Sequence, residues 1–181
     1  MVATWLIIVI IAVVLFVIYI YNNLIRLRIR VKNAWAQIDV QLKRRYDLIP
    51  NLINTVKGYM KHEKSVLEEV TKARTSLMSG SKKNQAKASN QITDALKSIF
   101  AVAENYPQLK ANENFKMLQE ELSGTESKIA YARQFYNDSV MSFNEAIQVF
   151  PKNLFAKMFG FKQEEFFGTE EKERKNVKVE F

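Results

Sequence analysis

The chain opens on an unbroken apolar run. From Val2 to Tyr21 every residue except Thr4 is apolar, and no charge precedes Arg26. Twenty helical residues cover roughly 30 Å, the thickness of a bilayer's hydrocarbon core. A helix buried in a globular core keeps a polar face, and this run has none. A cleaved signal peptide needs a basic start, a shorter apolar stretch and small residues at the cut. Val17-Ile18-Tyr19-Ile20-Tyr21 is too bulky for that. Residues 1–22 are therefore expected to form a single-pass transmembrane anchor in the cell membrane.

Beyond the anchor the rhythm changes to steps of three and four, the signature of helices with one buried stripe. The clearest stripe is Phe115, Leu118, Leu122, Thr125, Ile129, Ala132, Tyr136, Val140, Phe143, Ile147 and Phe150. It keeps phase through Gly124, whose cost of roughly 1 kcal/mol relative to Ala is too small to break so patterned a helix. One helix is expected from about 112 to 149, ended by Pro151. A second stripe runs Val31, Trp35, Ile38, Leu42, Tyr46, Ile49, Ile53, Val56, Met60, Leu67, Val70 and Leu77, and Pro50 crosses it. Preserved phase suits one kinked helix. Asp47 three residues before Pro50 suits a fresh N-cap and a first-turn proline, and this structural corner at Asp47 and Pro50 is the expectation. The next helix is expected to end at Ser79-Gly80-Ser81. A third, about 84–105, buries Ile92, Leu96, Ile99 and Ala103 and stops at Tyr106-Pro107. Residues 23–150 are thus expected to be all-α, an antiparallel up-and-down four-helix bundle or coiled-coil seam on the N-terminal anchor.

An even number of helices returns Pro151 to the membrane side. There, Leu154, Phe155, Met158, Phe159, Phe161, Phe166 and Phe167 mix with Lys152, Lys157 and Lys162. Residues 151–181 read as an amphipathic Phe/Lys segment with a charged tail, the last dozen residues expected to fray. The segment either lies in the bilayer interface or caps the bundle's open end.

Charge adds orientation. Residues 22–46 hold seven basic residues (Arg26, Arg28, Arg30, Lys32, Lys43, Arg44, Arg45) against Asp39, a net +6 within a chain of +8. Basic flanks stay on the cytoplasmic side, so the body is expected there. Arg26, Arg28, Arg30 and Lys32 ring the helix and suit anionic headgroups, with Phe155, Phe159 and Phe161 completing a membrane-interface set. Nucleic acid is not expected as a partner beside a membrane span.

Chemistry is sparse. With no cysteine and one histidine, His62, the chain lacks the means for thiol or Ser-His-Asp catalysis and for multi-histidine metal sites. A ferritin-like Glu-x-x-His is missing, since Tyr59 stands three before His62. No cofactor, metal or small-molecule substrate is expected, and no enzyme. Lys43, Arg44 and Arg45 read as a solvated helix face or a contact for phosphate or acidic groups. Glu104, Asn105 and Tyr106 should tie a turn through their side chains. Trp35, Tyr46, Tyr59, Phe100, Phe115, Phe135, Tyr136 and Phe143 read as core. Arg133, Asn137 and Asn144 share an edge of the last helix and form the candidate interaction edge, with Asp39 or Glu63 as possible partners of Arg133.

The runs AWAQIDVQLKRRYDLIPNL (Ala34 to Leu52), GYMKHE (Gly58 to Glu63), ENYPQLKANENF (Glu104 to Phe115) and ARQFYNDSV (Ala132 to Val140) resemble the LemA family of bacterial membrane proteins. The resemblance extends to the anchor and to FPKNLFAKMFGF (Phe150 to Phe161). It implies a four-helix bundle on one N-terminal anchor and a loosely defined role, with membrane organisation as the theme of a magnetosome relative. Some relatives carry a lipoprotein-type cysteine before Tyr-Asn-x-Leu; this chain has Tyr21-Asn22-Asn23-Leu24 and no cysteine. The expected function is a non-enzymatic, membrane-anchored scaffold, homo-oligomeric and able to hold other membrane proteins. The alternative is an adaptor or regulator of a membrane protease or sensor kinase.

Overall fold

The computed structural model describes residues 2–60, 63–77 and 81–168. His62, the Ser79-Gly80 part of the expected loop and the charged tail lie outside the described residues. Six helices follow in order: α1 (Val2–Lys57), α2 (Lys64–Leu77), α3 (Lys82–Ala103), α4 (Pro107–Ala111), α5 (Glu113–Ala146) and α6 (Lys152–Met158). Among the described residues there is no strand. The chain divides into two units, one of Met1–Gln37 with Gln134–Phe166, the other of Ile38–Arg133 with Phe167–Phe181.

The break expected at Asp47 does not occur: α1 runs through Pro50 to Lys57, and the chain turns at Gly58 and Tyr59 instead. Proline at position 50 removes the N–H that would bond the Tyr46 carbonyl. That carbonyl is satisfied from another helix. Arg74 of α2 donates its Nε–H to the Tyr46 oxygen at 3.0 Å, and its guanidinium lies 3.8 Å from the centre of the Tyr46 ring. A replaced acceptor bond removes the main reason for the helix to stop. Asp47 is exposed on the surface of the continuous helix rather than capping a new one.

The period-seven stripe of α5 is buried as its spacing predicts, from Phe115 (2% exposed) to Ile147 (9%). Phe150, at the end of the predicted stripe, is instead 75% exposed, because α5 stops at Ala146. Thr125 is tolerated inside because its hydroxyl bonds the Glu121 carbonyl at 2.7 Å. Asn112 opens α5: its Oδ1 accepts from the Phe115 N–H at 3.1 Å, and Glu113 complements the helix dipole. In α3, Ile92, Leu96, Ile99 and Ala103 are buried as expected, and Ser81 caps the helix through the Asn84 N–H. The turn after α3 is closed backbone to backbone, Asn105 N–H to the Val102 carbonyl and Tyr106 N–H to that of Ala103. The side-chain tie near this turn comes from Asn112, whose Nδ2 donates to the Tyr59 hydroxyl at 3.4 Å, rather than from Glu104 or Asn105.

The expected aromatic core is only partly inside. Phe115, Tyr136 and Phe143 are buried, whereas Tyr59 and Phe135 are each 36% exposed.

Candidate functional site

Two clusters carry the features singled out above, one in each unit. The first surrounds the end of the apolar run. In α1, residues from Val2 to Tyr19 remain exposed almost throughout, and only 6% of the most apolar window is buried. This is one helix long and apolar enough to cross a membrane. Against the last turns of the apolar run lie the phenylalanines after Pro151. Phe155 meets Phe16 edge-on at 6.3 Å, Phe159 meets Tyr21 at 4.9 Å, and Phe161 lies 6.2 Å from Tyr21 and 6.3 Å from Phe143.

Gly160 produces that return. Its φ of +70° is the left-handed conformation that ends a helix, and it carries a paired set of closing bonds. The Phe161 N–H reaches the Ala156 carbonyl at 2.9 Å and the Gly160 N–H that of Lys157 at 3.3 Å. Phe161 is thereby folded back toward α1, where the Arg28 guanidinium stands 6.0 Å from its ring. Arg30 stands likewise 5.3 Å from the Phe135 ring. The four collar residues Arg26, Arg28, Arg30 and Lys32 are all exposed.

Phe155, Phe159 and Phe161, expected at the bilayer interface, are thus engaged with this chain's own aromatic rings. The most exposed apolar residues of this stretch are Phe150 (75%), Met158 (64%), Leu154 (58%) and Phe166 (54%). Leu154 and Met158, four apart in α6, share one side of that helix, while Phe150 lies in the turn before it.

Residues 161–168 continue without helix. Asn144 holds them twice: its Nδ2 donates to the Glu164 carbonyl at 2.9 Å, and its Oδ1 accepts from the Glu164 N–H at 2.9 Å. The Tyr136 hydroxyl donates to the Glu165 carbonyl at 2.8 Å. Asn144 is therefore buried and committed to the chain's own backbone, which removes it from the expected interaction edge. Asn137 is half-buried.

The second cluster lies inside the other unit, and sequence reasoning missed it. Arg45, read with Lys43 and Arg44 as a solvated face or a contact for phosphate or acidic groups, is fully buried. It forms an ion pair with Glu126 of α5 and donates Nη1 to the Ser89 carbonyl at 3.2 Å and to the Ser89 and Thr93 hydroxyls of α3 at 3.3 Å. Thr93 also donates to Glu126 at 3.0 Å. Burial, and secondarily the like charge of Arg133, lower the Arg45 guanidinium from its ordinary range to about 10. Arg133 faces neither Asp39 nor Glu63. It donates to Asn90 Oδ1 at 3.1 Å, and its guanidinium lies 4.6 Å from the Phe167 ring. Arg44, by contrast, is half-exposed and pairs with Glu121 on the surface. The missed signal is phase: Arg45 falls between Leu42 and Ile49 at the spacing of the buried positions Ile38, Leu42, Ile49, Leu52 and Val56.

In the same unit a groove of about 790 Å³ runs between the end of α1 and α2, with Ile53, Met60 and Leu67 in its floor and Lys57, Lys64 and Lys72 at its rim. Among the described residues no three His, Cys, Asp or Glu side chains converge where a metal ion would bind.

The LemA family profile matches residues 34–181, taking in the second cluster, the phenylalanines of the first and every helix but the first part of α1. The chain belongs to the LemA family. A protein named LemA from Metamycoplasma hominis is 28% identical over 138 residues, which make up 75% of this chain. The same residues cover 63% of that relative, so this chain spans less than two thirds of its length.

Proposed function

We propose that this LemA-family protein is a membrane-tethered helical scaffold, non-enzymatic and self-associating, that organises the bilayer or membrane-protein assemblies. In this reading Val2–Tyr21 crosses the membrane once and the body is an up-and-down four-helix bundle on the cytoplasmic side. The observation that carries the reading is the exposed apolar surface of α1. Leu, Ile, Val and Phe each favour the bilayer centre by about 0.3–0.6 kcal/mol, so a run of this length favours insertion by several kcal/mol. In water the same surface far exceeds the patch a monomeric soluble protein leaves exposed.

Two further features support it. Leu154 and Met158 face outward on a helix that carries Lys152 and Lys157 and whose Phe155 touches Phe16. Apolar residues beside lysines suit the headgroup boundary. The basic collar is exposed on the turns that follow the run, where each Arg or Lys near an anionic surface contributes about 1 kcal/mol.

The test is fractionation of the full chain from cells, followed by cross-linking in the membrane. The reading expects the protein in the membrane pellet after alkaline carbonate washing and in species larger than a monomer after cross-linking. Recovery in the supernatant overturns the tether, and a strictly monomeric membrane protein overturns the scaffold.

A further inference from the structure

The turn between α5 and α6 carries a cluster of exposed apolar side chains. Val149 is 51% exposed, Phe150 75% and Leu154 58%. Its backbone is closed on itself. The N–H groups of Ile147, Gln148, Val149, Asn153 and Leu154 donate to carbonyls between Phe143 and Pro151. Pro151 has no N–H to satisfy. A segment whose donors are already bonded meets the condition that a bilayer interior sets on a backbone.

Contacts with α1, within the same unit, show how far along the apolar run this turn lies. Phe155 meets Phe16 and Phe159 meets Tyr21, so α6 rises along the run toward its end. Phe16 stands five residues before Tyr21, which at 1.5 Å per residue is about 7.5 Å inside the run. Residues that precede Phe155, Leu154 and Phe150 among them, therefore lie near the level of Phe16. Burial along α1 agrees. Ile20, still within the run, is 2% exposed, whereas Leu15 is 61% exposed. The cover over α1 thus begins inside the apolar run rather than beyond it.

We propose that the α5–α6 turn is a second membrane contact, immersed in the one leaflet nearest the body. Val149, Phe150 and Leu154 lie among its acyl chains, and Lys152 and Lys157 extend back to the lipid phosphates. If the run fills a hydrocarbon core of about 30 Å, the level of Phe16 is half-way through that leaflet. This depth falls in the range of about 5–10 Å to which interfacial helices bury their apolar face. Lysine's long stem lets its ammonium stay hydrated from there. The occupant is lipid because the exposed side chains of the turn continue, at one level, the exposed surface of Leu15 and Ile18. A second contact in the same leaflet sets the rotation of the anchor, which a lone apolar helix leaves free.

This inference rests on the membrane-tethered reading above and adds to it a second site of lipid contact. Because the chain has no cysteine, single replacements carry a nitroxide label without background. The full chain is prepared as Phe150→Cys, as Leu154→Cys and, for reference, as Leu15→Cys. Each is spin-labelled and reconstituted into vesicles of phosphatidylcholine and phosphatidylglycerol, and circular dichroism checks that helicity is kept. Power saturation then compares relaxation by oxygen, which concentrates among acyl chains, with relaxation by a water-soluble nickel chelate. Both labels on the turn should respond to oxygen more than to nickel, as the Leu15 label does. If they respond to nickel while the Leu15 label responds to oxygen, the turn lies in water; this inference falls and the tether stands. If they respond to neither reagent, a protein surface covers the turn and the lipid contact is overturned. If nickel reaches all three labels, both readings fall.

Discussion

Two arginines do opposite work inside the body. Arg74 completes a backbone bond that proline removed; Arg45 brings a charge into the interior that Glu126 must balance. Arg74→Leu should destabilise the fold by about 2 kcal/mol, the usual worth of a hydrogen bond from a charged donor with some stacking added. In a Pro50→Ala background the helix regains its own donor for the Tyr46 carbonyl. The loss from Arg74→Leu should then shrink by about 1 kcal/mol, so chemical denaturation of the four proteins in this cycle should show clear non-additivity. Equal losses in both backgrounds would mean that Arg74 does not substitute for the missing bond. For the buried pair, Glu126→Ala leaves the Arg45 cation without its counter-charge. It should cost about 3 kcal/mol or more, while Arg45→Met combined with Glu126→Gln should cost distinctly less. The ordering of the two melting temperatures decides it.

At the scale of elements, the segment after α6 is held in part by side chains of α5. Asn144 makes two hydrogen bonds to Glu164, and Tyr136 makes one to Glu165. Asn144→Ala should raise amide exchange at Glu164 and proteolysis between Phe161 and Phe167, with little change in the melting of the rest. Unchanged exchange there would show that the side-chain bonds are not what fixes the segment.

What was legible in the sequence follows from where the determining partner lies. The α5 stripe could be read because period seven reports burial directly, residue by residue along one helix. The start of α3 and its stop before Pro107 are local signals too. The preserved phase of the stripe pointed to continuity of α1 across Pro50, but the proline outweighed it, since the group that replaces the lost donor sits in α2, 28 residues after Tyr46. Arg45 was misread for a related reason. Three consecutive basic residues look solvated until Ser89, Thr93 and Glu126 are brought around the third. Asn144 was read as part of a polar edge open to partners, but its partner is the chain's own backbone at Glu164. The outward pair Leu154 and Met158 had the right spacing for one side of α6 and was masked by the density of phenylalanine around it.

At the scale of the whole molecule, everything proposed for function depends on Val2–Tyr21 residing in lipid. The chain carries its own probe for this, since its two tryptophans are Trp5 within the run and Trp35 beyond it. Trp35 packs edge-on against Tyr136 at 5.3 Å, so Trp35→Phe preserves an aromatic contact and leaves Trp5 as the single emitter. The deciding measurement is Trp5 fluorescence of that full-length variant reconstituted into vesicles whose acyl chains carry bromine. The tethered account predicts blue-shifted emission that the brominated chains quench strongly. Emission at the wavelength of water-exposed tryptophan, indifferent to bromine in the acyl chains, would contradict it.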